Sequence, residues 1–476
     1  MSRRAVITGI GVITPLGHDL ASFRAGLLAG TPGVRRTTAY DASRLPCPLF
    51  AELEPAFDPK KFIPATNKEG RKGLSKMAKT IQMGLCASQL CMDDAALKKG
   101  DVPPARFGIE FGCVMVATDI ADLAKAGQVS VGGEQVNLEK WGRLGQPEII
   151  PVWLLKFLPN MPACHTSIFF DAQGPNNTIT VEDAAGLLAL GEAYRLLVRD
   201  SADFFLVGGC ESKLNPVSNS RLNAFTTFTK RHDAPGSAVR PFDTNRDGTV
   251  LGEAATTFAL EELDRAKARG AKIYAEVVGF ASGFDRGLTG KVLATVIRNA
   301  LKEANITPAD VDHVNAHAAG YDYDAFEAKA ILEVFGKSTP VIALKGQIGH
   351  SGAASCLGRP IHGSIGSHIG TSTSQSRWLL ANDGDEWASW RRLWPAGRFD
   401  ISDAPAVALA IAHFPLAAAG VIAAAAVCLV SPVAAPAPPL RHRQRAVQQR
   451  RRVQLQPRQS PRRKRGVAGF GLLAQR

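Results

Sequence analysis

Two histidines and a lysine fall close together in this 476-residue chain, in Asn315-Ala316-His317 and Lys345-Gly346-Gln347-Ile348-Gly349-His350. Imidazole N–H groups converging on one point stabilise an oxygen that gains negative charge, typically by about two to three powers of ten in rate per donor. An ammonium beside them orients and charge-balances the pair. A fourth polar residue, Asp183, closes the run Gly174-Pro175-Asn176-Asn177-Thr178-Ile179-Thr180-Val181-Glu182 and opens a helical pattern. A carboxylate there is held as the anion by the helix dipole and the free amides, and its plainest role is to cap that helix. Glu182 adds a second potential charge. A lone histidine after a strand is most simply a cap for a core polar group, so chemistry rests on the set.

The elements that must position these residues alternate. Strand-like apolar runs are Ala5–Ile10, Phe107–Val116, Asp203–Gly208, Ala275–Phe280, Val311–Asn315 and Pro340–Leu344. Helical patterns lie between them at Leu74–Leu97, Ala184–Arg199, Lys291–Glu303 and Ala325–Phe335. This alternation predicts an α/β protein with largely parallel, buried sheets. The candidate residues lie just past strand ends or at helix starts, where ligands bind in such folds.

Several motifs, in this order, resemble those of a β-ketoacyl-acyl carrier protein synthase over residues 3–358. They are Arg4-Ala5-Val6-Ile7-Thr8-Gly9-Ile10-Gly11, Asn160-Met161-Pro162-Ala163-Cys164-His165 with Gly174-Pro175, and Val207-Gly208-Gly209-Cys210-Glu211. Next come Arg240-Pro241-Phe242-Asp243, Arg246-Asp247-Gly248 and Leu251-Gly252-Glu253-Ala254. The His317, Lys345 and His350 segments complete the set. The resemblance implies a thiolase-like, five-layered αβαβα duplication, usually dimeric. Its partners would be acyl carrier protein bearing phosphopantetheine-linked acyl and malonyl groups, and a second subunit, either another copy or a cysteine-containing synthase. In that family an acyl chain moves to a cysteine, malonyl-carrier protein decarboxylates, and the enolate attacks the thioester. His317 and His350 would serve the malonyl thioester oxygen, with Lys345 beside them. No cofactor is implied.

The departures are as telling. Asp183 stands where the family has its cysteine. An acyl group on a carboxylate is a mixed anhydride, too labile to wait for a second substrate. Some relatives carry glutamine there and act as decarboxylases or chain-length partners, but an ionised Asp183 would repel both the malonyl carboxylate and the enolate. Decarboxylation would need Asp183 protonated, which burial can arrange. Cys164 is the nearest alternative thiol, at a position that resembles a small structural one, and Cys210 reads as a small buried residue. The family's His-Gly-Thr-x-Thr becomes His317-Ala318-Ala319-Gly320-Tyr321, losing both hydroxyls that would contact the phosphopantetheine arm. The helix opening at His350 meets Arg359-Pro360, and proline breaks a helix interior. The closing strand pair, with its glycine-rich Phe turn, is expected to be missing.

The chain thus divides into an N-terminal half over 1–255, a truncated second half over 256–358, and an Arg/Ala/Pro-rich tail over 359–476. The formal net charge of +13 is local. The tail holds 16 Arg and one Lys against five acids, so the body is almost neutral and gives no electrostatic reason for nucleic acid. Three readings of the tail stay open. It is a basic disordered arm, a membrane anchor at Leu416–Val430 crowded by Pro405, Pro415 and Pro432, or GC-rich DNA translated in another frame. The eight cysteines make no metal-ligand spacing, and with no secretory signal opening the chain a reducing cytoplasm is the simplest location. The functional readings are a synthase-like protein impaired in condensation, which persists as a partner subunit or decarboxylase; a transferase with an unusual nucleophile; an inactive truncated product; and a membrane-tethered carrier-binding module.

Overall fold

The computed structural model describes residues 3–354, apart from a few short breaks, together with 408–414 and 424–431. Ten strands form one sheet: β1 (Ala5–Ile13), β2 (Phe107–Gly112), β3 (Asn176–Ile179), β4 (Phe204–Ser212), β5 (Glu253–Glu262), β6 (Ala275–Phe284), β7 (His313–Asn315), β8 (Val341–Ile342), β9 (Ala408–Phe414) and β10 (Ala424–Ser431). Their order is β8-β7-β9-β10-β6-β1-β5-β4-β2-β3.

That order reads the same from either end. In the first half β2 pairs in parallel with β3 and β4, and β5 runs antiparallel to β4 and β1. In the second half β7 pairs in parallel with β8 and β9, and β10 runs antiparallel to β9 and β6. The two halves meet where β1 and β6 pair antiparallel. One five-strand unit is therefore used twice, and the expected duplication is the fold.

This topology corrects the expectation of a truncated second half. The segments 408–414 and 424–431 supply the fourth and fifth strands of the second unit, paired in register from Ala408 against Val430 to Phe414 against Ala424. Composition was a poor guide because β-propensity is weak for alanine but depends on context. In place, β9 completes the pairing of β7 and β10 completes that of β6, so both segments have a strand partner on each side. The C-terminal end of the expected membrane segment is accordingly a sheet strand, and no helix among the described residues is long and apolar enough to cross a membrane. The expected helix break at Pro360 and the Phe turn fall outside the described residues. The boundary expected at 255 cuts through β5, so the halves divide after Glu262.

Helices fill the layers. α1 (Lys79–Asp94) covers β1, β4 and β5 on one side, and α3 (Lys291–Glu303) covers β6 and β10, with α4 (Asp324–Phe335) against it. Between them α2 (Ala185–Val198) lies against strands of both halves. Its buried Leu187, Leu190 and Leu197 join Val12, Phe205, Phe258 and Val277 in one apolar cluster. This central helix brings its N-terminal turn, with Asp183, to the seam between the halves.

Candidate functional site

Asp183 sits in a tight turn, Glu182–Ala184, that feeds α2. Glu182 adopts a left-handed φ of 40°, an unfavourable conformation for a residue with a side chain. The sharp corner turns the next side chain inward, and Asp183 is 1% exposed. The helix start carries no side-chain cap. The carboxylate does not cap; its Oδ2 lies 3.2 Å from Nε2 of His350 and 3.5 Å from Nε2 of His317.

His317 follows β7. Its backbone amide and that of Ala318 donate to the two oxygens of Glu327 at 2.5 and 2.8 Å. Asp324 accepts from the amides of Ala319, Gly320 and Phe242. The two acids at the start of α4 thus each clamp a stretch of the loop. The loop needs that grip, since Ala318 has φ of 27° and Gly320 has φ of 87°. A Cβ on Gly320 would come within 2.9 Å of the Gly248 carbonyl.

His350 is fixed by a different device. Its amide donates to Val250 at 2.8 Å, and its carbonyl accepts from Gly252 at 3.0 Å. The Leu251-Gly252 segment thus acts as a splint for the histidine. Lys345 is buried, with Nζ 3.2 and 3.0 Å from the two ring nitrogens of His317. The four residues singled out from sequence, Asp183, His317, Lys345 and His350, therefore meet in one place, although they come from both halves.

Sequence reasoning missed three participants. Glu211 and Lys213, two apart at the end of β4, are both buried with Oε1 and Nζ 3.5 Å apart. Glu211 also accepts from the Ala353 amide at 3.0 Å, tying β4 to the segment after His350. The only signal was a lysine next to a glycine-rich strand end. Tyr321, noticed only as a lost threonine, places its hydroxyl 3.0 Å from Nε2 of His317 and is 7% exposed. Cys164 stands apart on its helix, where its sulfur accepts from Asn160. Cys210 is fully buried.

Electrostatics fix the protonation states. Burial pushes the Asp183 carboxyl up, but His350, Lys345 and Lys213 outweigh it and hold the group well below the usual carboxylate range. Burial pushes His350 down to about 3 against the pull of Asp183, with Lys345 and Lys213 reinforcing the fall. At neutral pH the arrangement is a carboxylate facing a neutral imidazole whose Nε2–H donates to it. Burial raises Glu211 to about 7 although Lys213 opposes it, and Glu182 and Asp183 push the same way. Lys213 is desolvated, yet Glu211, Asp183 and Glu182 lift it above the ordinary lysine value. Among the described residues no group of histidine, cysteine and carboxylate side chains could hold a metal ion.

Residues 2–266 match the family model for the β-ketoacyl synthase N-terminal domain, and residues 274–360 match that for its C-terminal domain. The 3-oxoacyl-[acyl-carrier-protein] synthase 2 of Coxiella burnetii is 32% identical over 369 residues, covering 75% of this chain and 84% of that protein. A polyketide β-ketoacyl synthase of Streptomyces halstedii, named as putative, is 32% identical over 361 residues, 74% of this chain and 82% of its own. Among solved structures, a type II polyketide ketosynthase in complex with its acyl carrier protein and bound to a hexaketide superposes with a TM-score of 0.71 at 25% identity. It covers 91% of this chain and all of its own.

Proposed function

The chain belongs to the β-ketoacyl synthase family of fatty-acid and polyketide biosynthesis, and on that premise we propose that it is a carrier-protein-binding subunit that does not itself condense. One observation carries the reading: the single oxygen Oδ2 of Asp183 faces both histidines. In a condensing member those imidazoles would receive the malonyl thioester oxygen. Here an internal anion, held ionised by its surroundings, already occupies that position.

The chemistry follows from the charges. A carboxylate held this low is a weak nucleophile and a weak base, so acyl storage on Asp183 is disfavoured twice, by basicity and by the lability of an anhydride. Decarboxylation suffers as well. The enolate oxygen would have to lie within about 5 Å of Oδ2, and two unit charges at that separation repel by roughly 3 kcal/mol at an effective dielectric near 20. That offsets about one oxyanion donor.

The second subunit would dock along β3. This strand ends the sheet, and the carbonyls of Pro175 and Ile179 bond to β2 while the Thr178 amide turns away to its neighbour Asn177. Exposed Leu138, Ile150, Val152, Leu154 and Ile168 precede it in sequence, giving apolar surface that suits a partner. A copy of this chain or a cysteine-containing relative would both fit. The test is to mix the purified protein with malonyl- and acyl-carrier protein. Binding by titration calorimetry, with neither condensation product nor carbon dioxide, supports the reading. Turnover by the protein alone overturns it.

A further inference from the structure

The loop between β7 and α4 places an aromatic side chain where a substrate would have to enter. The centroids of the Tyr321 and His317 rings are 6.3 Å apart, those of Tyr321 and His350 6.4 Å, and those of the two imidazoles 6.0 Å. Three rings at these separations touch one another. No planar group as thick as a thioester fits among them without moving one. The tyrosine hydroxyl is also spoken for. Lys345 can only donate, so it takes a lone pair of the His317 ring; served at Nδ1, it leaves Nε2–H to donate to the tyrosine oxygen at 3.0 Å. The ring cannot swing aside with its loop, because the Tyr321 carbonyl accepts from Arg246 and from the Asp324 amide. The amides of His317 and Ala318 are held by Glu327, and those of Ala319 and Gly320 by Asp324.

We propose that Tyr321 is a specificity-determining plug, which fills the space between the two imidazoles, spends the His317 donor on its own oxygen, and excludes malonyl thioesters from this site independently of Asp183. The inference rests on the reading of the site as a non-condensing one, and it assigns that loss to two separate locks, one of charge and one of shape.

The probe is malonyl-pantetheine, a small thioester that needs no carrier-protein docking. The comparison is made in Asp183→Asn protein, where the charge lock is removed. Adding Tyr321→Ala is expected to tighten probe binding at least tenfold and to give measurable decarboxylation. In that step the bond between the carboxylate carbon and the α-carbon breaks and carbon dioxide leaves. The electron pair forms the enolate, and a proton from water completes the acetyl thioester. Tyr321→Phe keeps the ring and should leave the site closed to the probe. Folding is checked by near-UV circular dichroism. Unchanged probe binding in folded Asp183→Asn/Tyr321→Ala protein overturns the proposal. A second measurement needs no ligand and keeps Asp183: in Tyr321→Phe the ¹⁵N resonances of the His317 ring must shift from those of the wild type, and identical resonances overturn the assigned hydrogen bond. Turnover of malonyl-carrier protein by the wild type would instead sink the underlying reading.

Discussion

Replacing Asp183 by asparagine tests the buried charge cluster directly. Nζ of Lys345 lies 3.0 Å from Nε2 of His317, which lies 3.5 Å from Oδ2 of Asp183. The ammonium and the carboxylate are thus at most about 6.5 Å apart, worth roughly 2.6 kcal/mol at an effective dielectric near 20. Both groups are buried, so solvent does not screen the pair. Asp183→Asn leaves Lys345 without that carboxylate and should lower stability by about 3 kcal/mol, the usual cost of removing one partner of a buried pair. Lys345→Met should cost a similar amount by stranding the carboxylate. The double variant should then lose about 2 to 3 kcal/mol less than the sum. Urea unfolding at pH 7, with midpoints and slopes for all four proteins, measures this coupling. A coupling below about 0.5 kcal/mol, the scatter expected for independent sites, would refute an ionised Asp183 facing a charged Lys345.

Acid should weaken the fold through His350. Its folded value of about 3 lies below the ordinary value near 6.5, so its contribution is complete above about pH 6.5 and drains as pH falls toward 3. Between pH 6.5 and 5 the loss is about 2 kcal/mol. His350→Gln protein, unfolded by urea at pH 7 and 5, should lack that difference, while the opposite drift from Glu211 is common to both proteins and cancels. Thr178→Pro should abolish the edge of β3 without touching its pairing to β2; if a second copy docks there, light scattering should give twice the chain mass for the wild type and a single chain mass for the variant, and an equal doubled mass for both would place the second subunit elsewhere. Gly352→Ala should destabilise by several kcal/mol or prevent folding, because φ is 53° and the new Cβ would lie 1.7 Å from Oε2 of Glu211. A thermal midpoint equal to that of the wild type would show that Glu211 does not hold the Ala353 amide.

Much was legible in the chain before any fold. The apolar runs at Ala5–Ile10 and Ala275–Phe280 became β1 and β6, and Lys291–Glu303 became a helix with the same ends, because hydrophobic periodicity is a local property of the sequence. The identities of Asp183, His317, Lys345 and His350 as one set were readable too, since motif order survives in one dimension. β3 and β5 are absent from the strand-like apolar runs, because Asn176 and Asn177 in β3 and Thr256, Thr257, Glu261 and Glu262 in β5 interrupt any apolar pattern.

Tertiary structure decided the rest. Whether Asp183 caps a helix or confronts two histidines depended on the strained φ of Glu182 and on α2 lying across the seam between the halves. Its ionisation depended on His350, Lys345 and Lys213, which are distant in sequence and near in space. Tyr321 reads as a missing threonine in the sequence and becomes a plug only when two imidazoles close around it. The alanine-rich segments 408–414 and 424–431 have little strand preference of their own, and they are strands because they pair with β7, with β6 and with each other. Side-chain pattern sets what a segment can do locally, while charge state, occlusion and strand pairing are set by neighbours that only the folded chain supplies.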